Sequence, residues 1–198
     1  MDHYFSTEPN VPHDVRTIHY SPRDGVTLTF VTDAGVFSRQ RVDYGSHVLI
    51  SALPPLTGRI LDLGCGYGPI GISLARLNPG ARVLMVDTNR RAVALAQKNI
   101  RANGVANARA LVSDGFAAVE GLFAAIVSNP PIRAGKKVIY PLFRQSRDFL
   151  TPGGSLWLVI QKKQGAASAV ALLQEIFGNC TVTEKSRGYW VLRSTNKL

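Results

Sequence analysis

From Arg59 onward, short and nearly continuous apolar runs alternate with segments of helical period, and this alternation restricts the fold more tightly than any other feature of the chain. The runs are Ile60–Leu63, Val83–Asp87, Ala108–Val112, Phe123–Ser128, Leu156–Ile160, Thr181–Glu184 and Tyr189–Arg193. Their brevity and Val, Ile and Leu content suit parallel strands covered on both faces. Between the second and third, Ala92, Leu95, Ala96, Asn99 and Ile100 fall on one helical face after Thr88-Asn89, and Gly104 supplies a stop. Ala166–Phe177 behaves alike and ends at Gly178. The pattern predicts an α/β fold with a doubly wound, mostly parallel seven-stranded sheet. Only Lys185–Gly188 separates the last two runs, so they should pair as a hairpin that puts one antiparallel strand into the sheet.

The first 45 residues differ in texture. Thr17–Tyr20 and Val26–Val31 flank the turn signal Ser21-Pro-Arg-Asp-Gly25 and read as a β-hairpin too short to bury a core of its own. We therefore expect residues 1–45 to be an N-terminal extension of a domain spanning 46–198. No apolar stretch approaches the roughly 20 residues that span a bilayer, and Met1–Phe5 has no basic segment leading into an apolar run. A cytoplasmic protein without membrane association is expected. Cys65 and Cys180 lie far apart, with no CxxC and no clustered His, so neither a disulfide framework nor a metal site is expected.

Asp62-Leu-Gly64-Cys-Gly66-Tyr-Gly68 falls where the first of these strands should end and a helix begin, with Pro69 suited to the first helical position. Glycines at such a turn let the backbone bend sharply and let a ligand approach main-chain atoms. Asp87, at the end of the next strand, is placed to accept hydrogen bonds from ribose hydroxyls. A dinucleotide fingerprint would need glycine where Pro69 stands, and no Walker sequence occurs.

This combination resembles the S-adenosylmethionine site of class I methyltransferases, and implies a Rossmann-like methyltransferase fold. The resemblance implies that Gly64, Gly66 and Gly68 line the methionine and ribose part of the cofactor. It also implies Asp62 near the amino group, Asp87 on the ribose and Asp114, in Ser113-Asp-Gly-Phe116, at the adenine amino group. Asn129, the first residue of the next motif, is also expected at the cofactor.

Ser128-Asn-Pro-Pro-Ile132 follows the fourth run, at the edge where open α/β sheets bind ligands. It resembles the Asn-Pro-Pro motif of methyltransferases that act on planar exocyclic amines or amides. The chemistry explains the residue types. A conjugated amine is a poor nucleophile until its N–H groups are held as the nitrogen pyramidalises, and the Asn129 side-chain oxygen and Pro130 carbonyl supply two acceptors on a loop stiffened by proline. Together with Gly35–Arg39, Val42–Ser46, Asn129–Lys136 and Val159–Gly165, the sequence resembles, from about Thr17 to Arg193, the small-domain methyltransferases that include the 16S ribosomal RNA guanine-N2 enzymes. Those enzymes often carry a second, degenerate methyltransferase-like domain upstream, and this sequence has no second copy of the motifs. The resemblance implies methylation of an exocyclic amine in structured RNA, most naturally guanine N2 of ribosomal RNA. A protein glutamine-N5 or adenine-N6 enzyme, and a non-catalytic module that binds cofactor or RNA, are the alternatives. Where many adenine and glutamine enzymes have an aromatic residue after the prolines, this chain has Ile132; Phe37 or Tyr44 would have to replace it, although Phe37 reads more simply as a core residue.

Charge bears on the substrate. The 198 residues carry a net +10, and its distribution is uneven: residues 1–130 hold 12 basic and 10 acidic side chains, residues 131–198 hold 11 and 3. A solvated basic face and a polyanion-binding face fit that count equally well. Arg133, Lys136 and Lys137 follow the Asn-Pro-Pro loop, however, and Lys162 and Lys163 follow the fifth run at the same sheet edge. With Pro131 and Ile132, these five cations are expected to meet the substrate, RNA phosphates flanking an unstacked base.

Overall fold

The structure, a computed structural model, describes residues 11–197, so the expectation about Met1–Phe5 lies outside the described residues. The chain begins with a hairpin, β1 (Arg16–Arg23) and β2 (Val26–Thr32), followed by α1 (Tyr44–Ala52). Then come β3 (Gly58–Leu63), α2 (Pro69–Leu77), β4 (Ala81–Asp87), α3 (Arg90–Ala102), β5 (Ala108–Val112), β6 (Phe123–Ser128) and α4 (Lys136–Ser146). The remainder is β7 (Leu150–Gln161), α5 (Ala166–Phe177), β8 (Thr181–Ser186) and β9 (Tyr189–Thr195).

Seven strands form one sheet in the order β5-β4-β3-β6-β7-β9-β8. Strands β3 to β7 pair in parallel, and β9 is antiparallel to both β7 and β8, as the short loop after β8 requires. Alternate strand residues feed two cores. Ile60, Met85, Val127 and Val159 pack towards α1, α2 and α3, while Leu61, Val86, Ile126 and Leu158 pack towards α4 and α5. Double coverage is why these strands read as unbroken apolar runs. Strand β7 begins earlier than its apolar run: Thr151–Gly154 contains Pro152 and two glycines, loop signals locally, but Gly153 N–H and Asn196 N–H exchange bonds with the Asn196 and Gly154 carbonyls (both 2.8 Å) and draw the segment into the sheet.

The hairpin forms its own two-stranded sheet. Its Leu28 and Phe30 are fully buried in the core shared with α1, α2 and α3. One edge of β2 is closed by side chains in place of a strand. Asn99 in the last turn of α3 and Asn103, its C-cap, each accept a backbone N–H from β2 and donate to the carbonyl of the same residue, at Val31 and Thr29. A strand edge that would otherwise present unpaired donors is thereby satisfied.

Candidate active site

Strand order reverses between β3 and β6, where the chain crosses to opposite sides of the sheet, and a crevice opens at the carboxyl ends of these strands. The Ser128 hydroxyl donates to the Leu63 carbonyl (2.6 Å) and ties the two strand ends together. Above them lies a cavity of ≈ 400 Å³, a size that suits a nucleoside-bearing ligand.

The glycine loop forms one wall. Gly64 and Gly66 have φ of 76° and 56°, a left-handed backbone that favours glycine. A Cβ on either would meet no protein atom within 4 Å, so both present bare backbone to open space. Asp87 accepts N–H bonds from Gly66 (2.8 Å) on one carboxylate oxygen and Asn89 (2.9 Å) on the other. Each oxygen keeps acceptor capacity at the cavity wall, as ribose hydroxyls require. Burial pushes the Asp87 carboxyl above its usual range, against the N–H bonds from Asn89, Gly66 and Thr88. Asp114 is exposed and also lines the cavity, in a turn shaped by the Ser113 hydroxyl donating to the Gly115 carbonyl (2.9 Å).

Asp62 and Gly68 stand behind this wall and do not reach the cavity surface. For Asp62, expected beside the cofactor's amino group, the geometry shows a different contact. It is fully buried, its Oδ2 accepts the Gly71 N–H of α2 (2.8 Å), and its Oδ1 has no partner among the described residues. Burial pushes this carboxyl up to about 7, with the Gly71 bond opposing and the Asp87 charge reinforcing the rise. In the unfolded chain the group ionises near 3.8. A raised folded value means that stability is whole below the unfolded pKa and declines as pH climbs to the folded one. At ~1.4 kcal/mol per pH unit, the decline is on the order of 4 kcal/mol. The Asp62→Asn variant should therefore match the wild type in urea unfolding near pH 4 and exceed it increasingly up to pH 7; parallel curves would show that Asp62 does not titrate there.

Asn129 forms the opposite wall with Pro130 and Pro131. Its side-chain Nδ2 donates to Asp43 Oδ2 and Ser46 Oγ, both at 3.0 Å. Asp43 caps α1 by accepting the Gly45 and Ser46 N–H groups. The Pro130 carbonyl receives the Ile132 N–H (2.8 Å) in a tight turn over Pro131 (φ −73°, ψ 75°) and keeps a second lone pair. Asp43 and Ser46 were missed as site residues by sequence reasoning, although Asp before a helical pattern is an N-cap signal.

The remaining expected residues divide. Pro131 lines the cavity, while Ile132 does not and packs partly buried on the α4 side of the sheet. Phe37 lines the cavity and is 40% exposed, so it is not the core aromatic its sequence context suggested. Tyr44 is committed elsewhere, bonding Ser186 through its hydroxyl (2.8 Å) and standing edge-on to Tyr189. Arg133, Lys136, Lys137, Lys162 and Lys163 are exposed and lie outside the cavity lining. Lys136 and Lys137 occupy the first turn of α4, whose N-cap, Gly135, offers no side chain. Cations there oppose the helix dipole and reinforce its attraction for anions. The Lys162 N–H bonds the Gly188 carbonyl (2.7 Å), joining the Lys162-Lys163 segment to the β8–β9 hairpin, which carries the exposed Lys185 near the end of β8 and Arg187 in its turn. Cys65 is buried and its thiol is pushed well above its usual range by burial, with the Asp87 and Asp62 charges reinforcing the rise, which disfavours the thiolate. Among the described residues no acidic, His or Cys cluster is placed to hold a metal ion, and no helix is long and apolar enough to cross a membrane.

A strand order reversing over a glycine loop, with an acid at the end of the next strand, is an arrangement that class I methyltransferases share, and the family match together with a similar structure that holds AdoMet makes this chain one of them, with S-adenosylmethionine as cofactor. More specifically, residues 27–193 match the methyltransferase small domain, and the chain belongs to that family. It is 44% identical over 98% of its length to YbxB of Bacillus subtilis, and covers 98% of that protein. It is 33% identical over 190 residues to ribosomal RNA small subunit methyltransferase C of Shewanella amazonensis, covering 94% of this chain and 54% of that one. Among solved structures, the T. thermophilus 16S rRNA N2 methyltransferase RsmC, in complex with AdoMet and guanosine, superposes with a TM-score of 0.83 at 31% identity, over 95% of this chain and 52% of that one. The chain thus spans about half the length of these ribosomal RNA methyltransferases.

Proposed function

We propose that this chain methylates the exocyclic amine of a base in structured RNA, and that guanine N2 of ribosomal RNA is its target. The observation that carries the reading is the placement of Asn129 and Pro130 on one cavity with the glycine loop and Asp87. The resemblance to ribosomal RNA methyltransferases over most of the chain supports the choice of RNA. In this reading S-adenosylmethionine supplies an electrophilic methyl group. Gly64, Gly66 and Asp87 orient the cofactor, with Asp114 at its adenine end. The Asn129 Oδ1 and the Pro130 carbonyl accept the two N–H groups of the target amine, drawing its lone pair out of conjugation and towards the methyl carbon. No strong base is needed, because the nitrogen is acidic once it carries the methyl group and its extra proton can pass to water. Phe37, exposed at the cavity wall, offers the flat apolar face that Ile132 does not.

The deciding experiment incubates the protein with labelled cofactor and either 16S ribosomal RNA or assembled small subunits, then digests the RNA to nucleosides. Label in N2-methylguanosine is the expected result. Label in N6-methyladenosine, or only in a glutamine-containing peptide, would replace this reading with one of its alternatives. Cofactor binding without any transfer would point to a non-catalytic module.

The exposed cations are proposed to hold phosphates around the entering base. Reversing Lys136 and Lys137 to Glu should weaken RNA binding at least tenfold and flatten the slope of log K against log salt by roughly 1–2, while cofactor affinity stays unchanged. An unaltered salt slope in filter binding would assign the charge to solubility.

A further inference from the structure

We propose that Asp43 and Ser46, at the start of α1, are positioning residues that lock the Asn129 amide in one of its two flip states and so aim its Oδ1 at the substrate amine. The proposal rests on the methyl-transfer reading above. An asparagine amide is nearly symmetric in shape, and rotation by half a turn exchanges an acceptor for a donor. For an acceptor role only one state is useful; the other would point N–H groups at the N–H groups of the amine.

The geometry selects the useful state. Asp43 Oδ2 and Ser46 Oγ both lie 3.0 Å from Nδ2. A carboxylate accepts and never donates, so the amide atom facing Asp43 must be the nitrogen. With both N–H groups directed at α1, the trigonal amide turns Oδ1 away from that helix, and Asn129 lines the cavity. A bond from an amide N–H to a charged acceptor also polarises the amide and makes its oxygen a stronger acceptor.

Asp43 is itself held. Its Oδ2 takes the Gly45 N–H at 2.9 Å and the Ser46 N–H at 3.3 Å. A Cβ at Gly45 would come within 2.9 Å of that oxygen and 2.8 Å of Tyr189 Cε1, so the approach leaves no room for a larger residue. Capping alone does not explain aspartate, because Ser caps a helix about as well. Aspartate adds the reach to Asn129 and a group that cannot donate to it.

Two measurements test the proposal, one of which needs no substrate. In the cofactor-free protein, the Asn129 side-chain amide protons should exchange slowly with solvent by NMR, and at least about tenfold faster in the Asp43→Ser/Ser46→Ala double variant, whose α1 keeps a cap. In the methylation assay, Asp43→Ser should lower kcat about tenfold or more with KM for RNA and cofactor Kd changed by less than about twofold. Added to Asn129→Ala it should cost nothing further, because the two act as one unit. Rapid amide exchange in the wild type, or losses from Asp43→Ser and Asn129→Ala that multiply, would overturn the positioning role. Slow exchange that the double variant abolishes, in a wild type that methylates no RNA, would uphold the lock and defeat the proposed reaction instead.

Discussion

Asn129→Ala should lower the single-turnover rate of methyl transfer by about 10²–10³-fold while leaving cofactor affinity within a few-fold of wild type. The estimate follows from the role. A fixed polar group aimed at charge that develops only in the transition state is worth about that factor when removed. The Asn129 oxygen would meet the amine most strongly as positive charge builds on nitrogen, so its loss should appear in the chemical step. Stability should fall as well, because two hydrogen bonds are lost, to the Asp43 carboxylate and to Ser46 Oγ, each worth on the order of 1 kcal/mol or more, while the helix N–H groups that Asp43 caps remain in place. Calorimetry with S-adenosylmethionine and a rapid-quench assay on RNA separate the two effects. A rate within fivefold of wild type would remove Asn129 from the mechanism.

Asp87→Ala should act on the other side of the same cavity and show the opposite signature. Its two oxygens hold loop N–H groups, Gly66 on one and Asn89 on the other among them, and are proposed to hold the ribose as well. Hydrogen bonds to a charged group are worth about 1.5–3 kcal/mol, which corresponds to roughly 10–150-fold in cofactor affinity. The loop is expected to loosen in addition, since the Gly66 N–H would lose its acceptor. Methylation at saturating cofactor should recover much of the wild-type rate, because no reacting atom is touched. If calorimetry shows affinity unchanged, the acid at the end of β4 organises the loop and does not meet the ribose.

These two positions stand out in the sequence for a common reason: Asp87 ends a buried strand and Asn129 follows one, each in a segment whose pattern is local. Apolar runs flanked by glycine and proline mark the strand ends, and the strand ends of an open α/β sheet are where ligands bind. The same local logic failed where long-range packing overrode it. Thr151–Gly154 reads as a loop, yet its pairing with Asn196 makes it strand. Phe37 reads as core, yet the segment between β2 and α1 leaves it at the cavity wall. Ile132, two residues beyond Pro130, turns into the α4 side of the sheet, a consequence of the tight turn over Pro131 that spacing alone does not reveal.

The sequence by itself determined the alternation of strands and helices, the glycine loop, the acid at the end of β4 and the order of the motifs, because each depends on residues within a few positions of one another. Only the tertiary structure decided that Asp62 lies sealed behind the cavity, that the Lys162–Lys163 segment is bonded to the β8–β9 turn, and that Asp43 and Ser46 meet Asn129. The last pairing spans 86 positions for Asp43 and 83 for Ser46. Hydrogen bonds form over about 3 Å whatever the separation along the chain. Such contacts exist only after the sheet has brought the start of α1 to the end of β6.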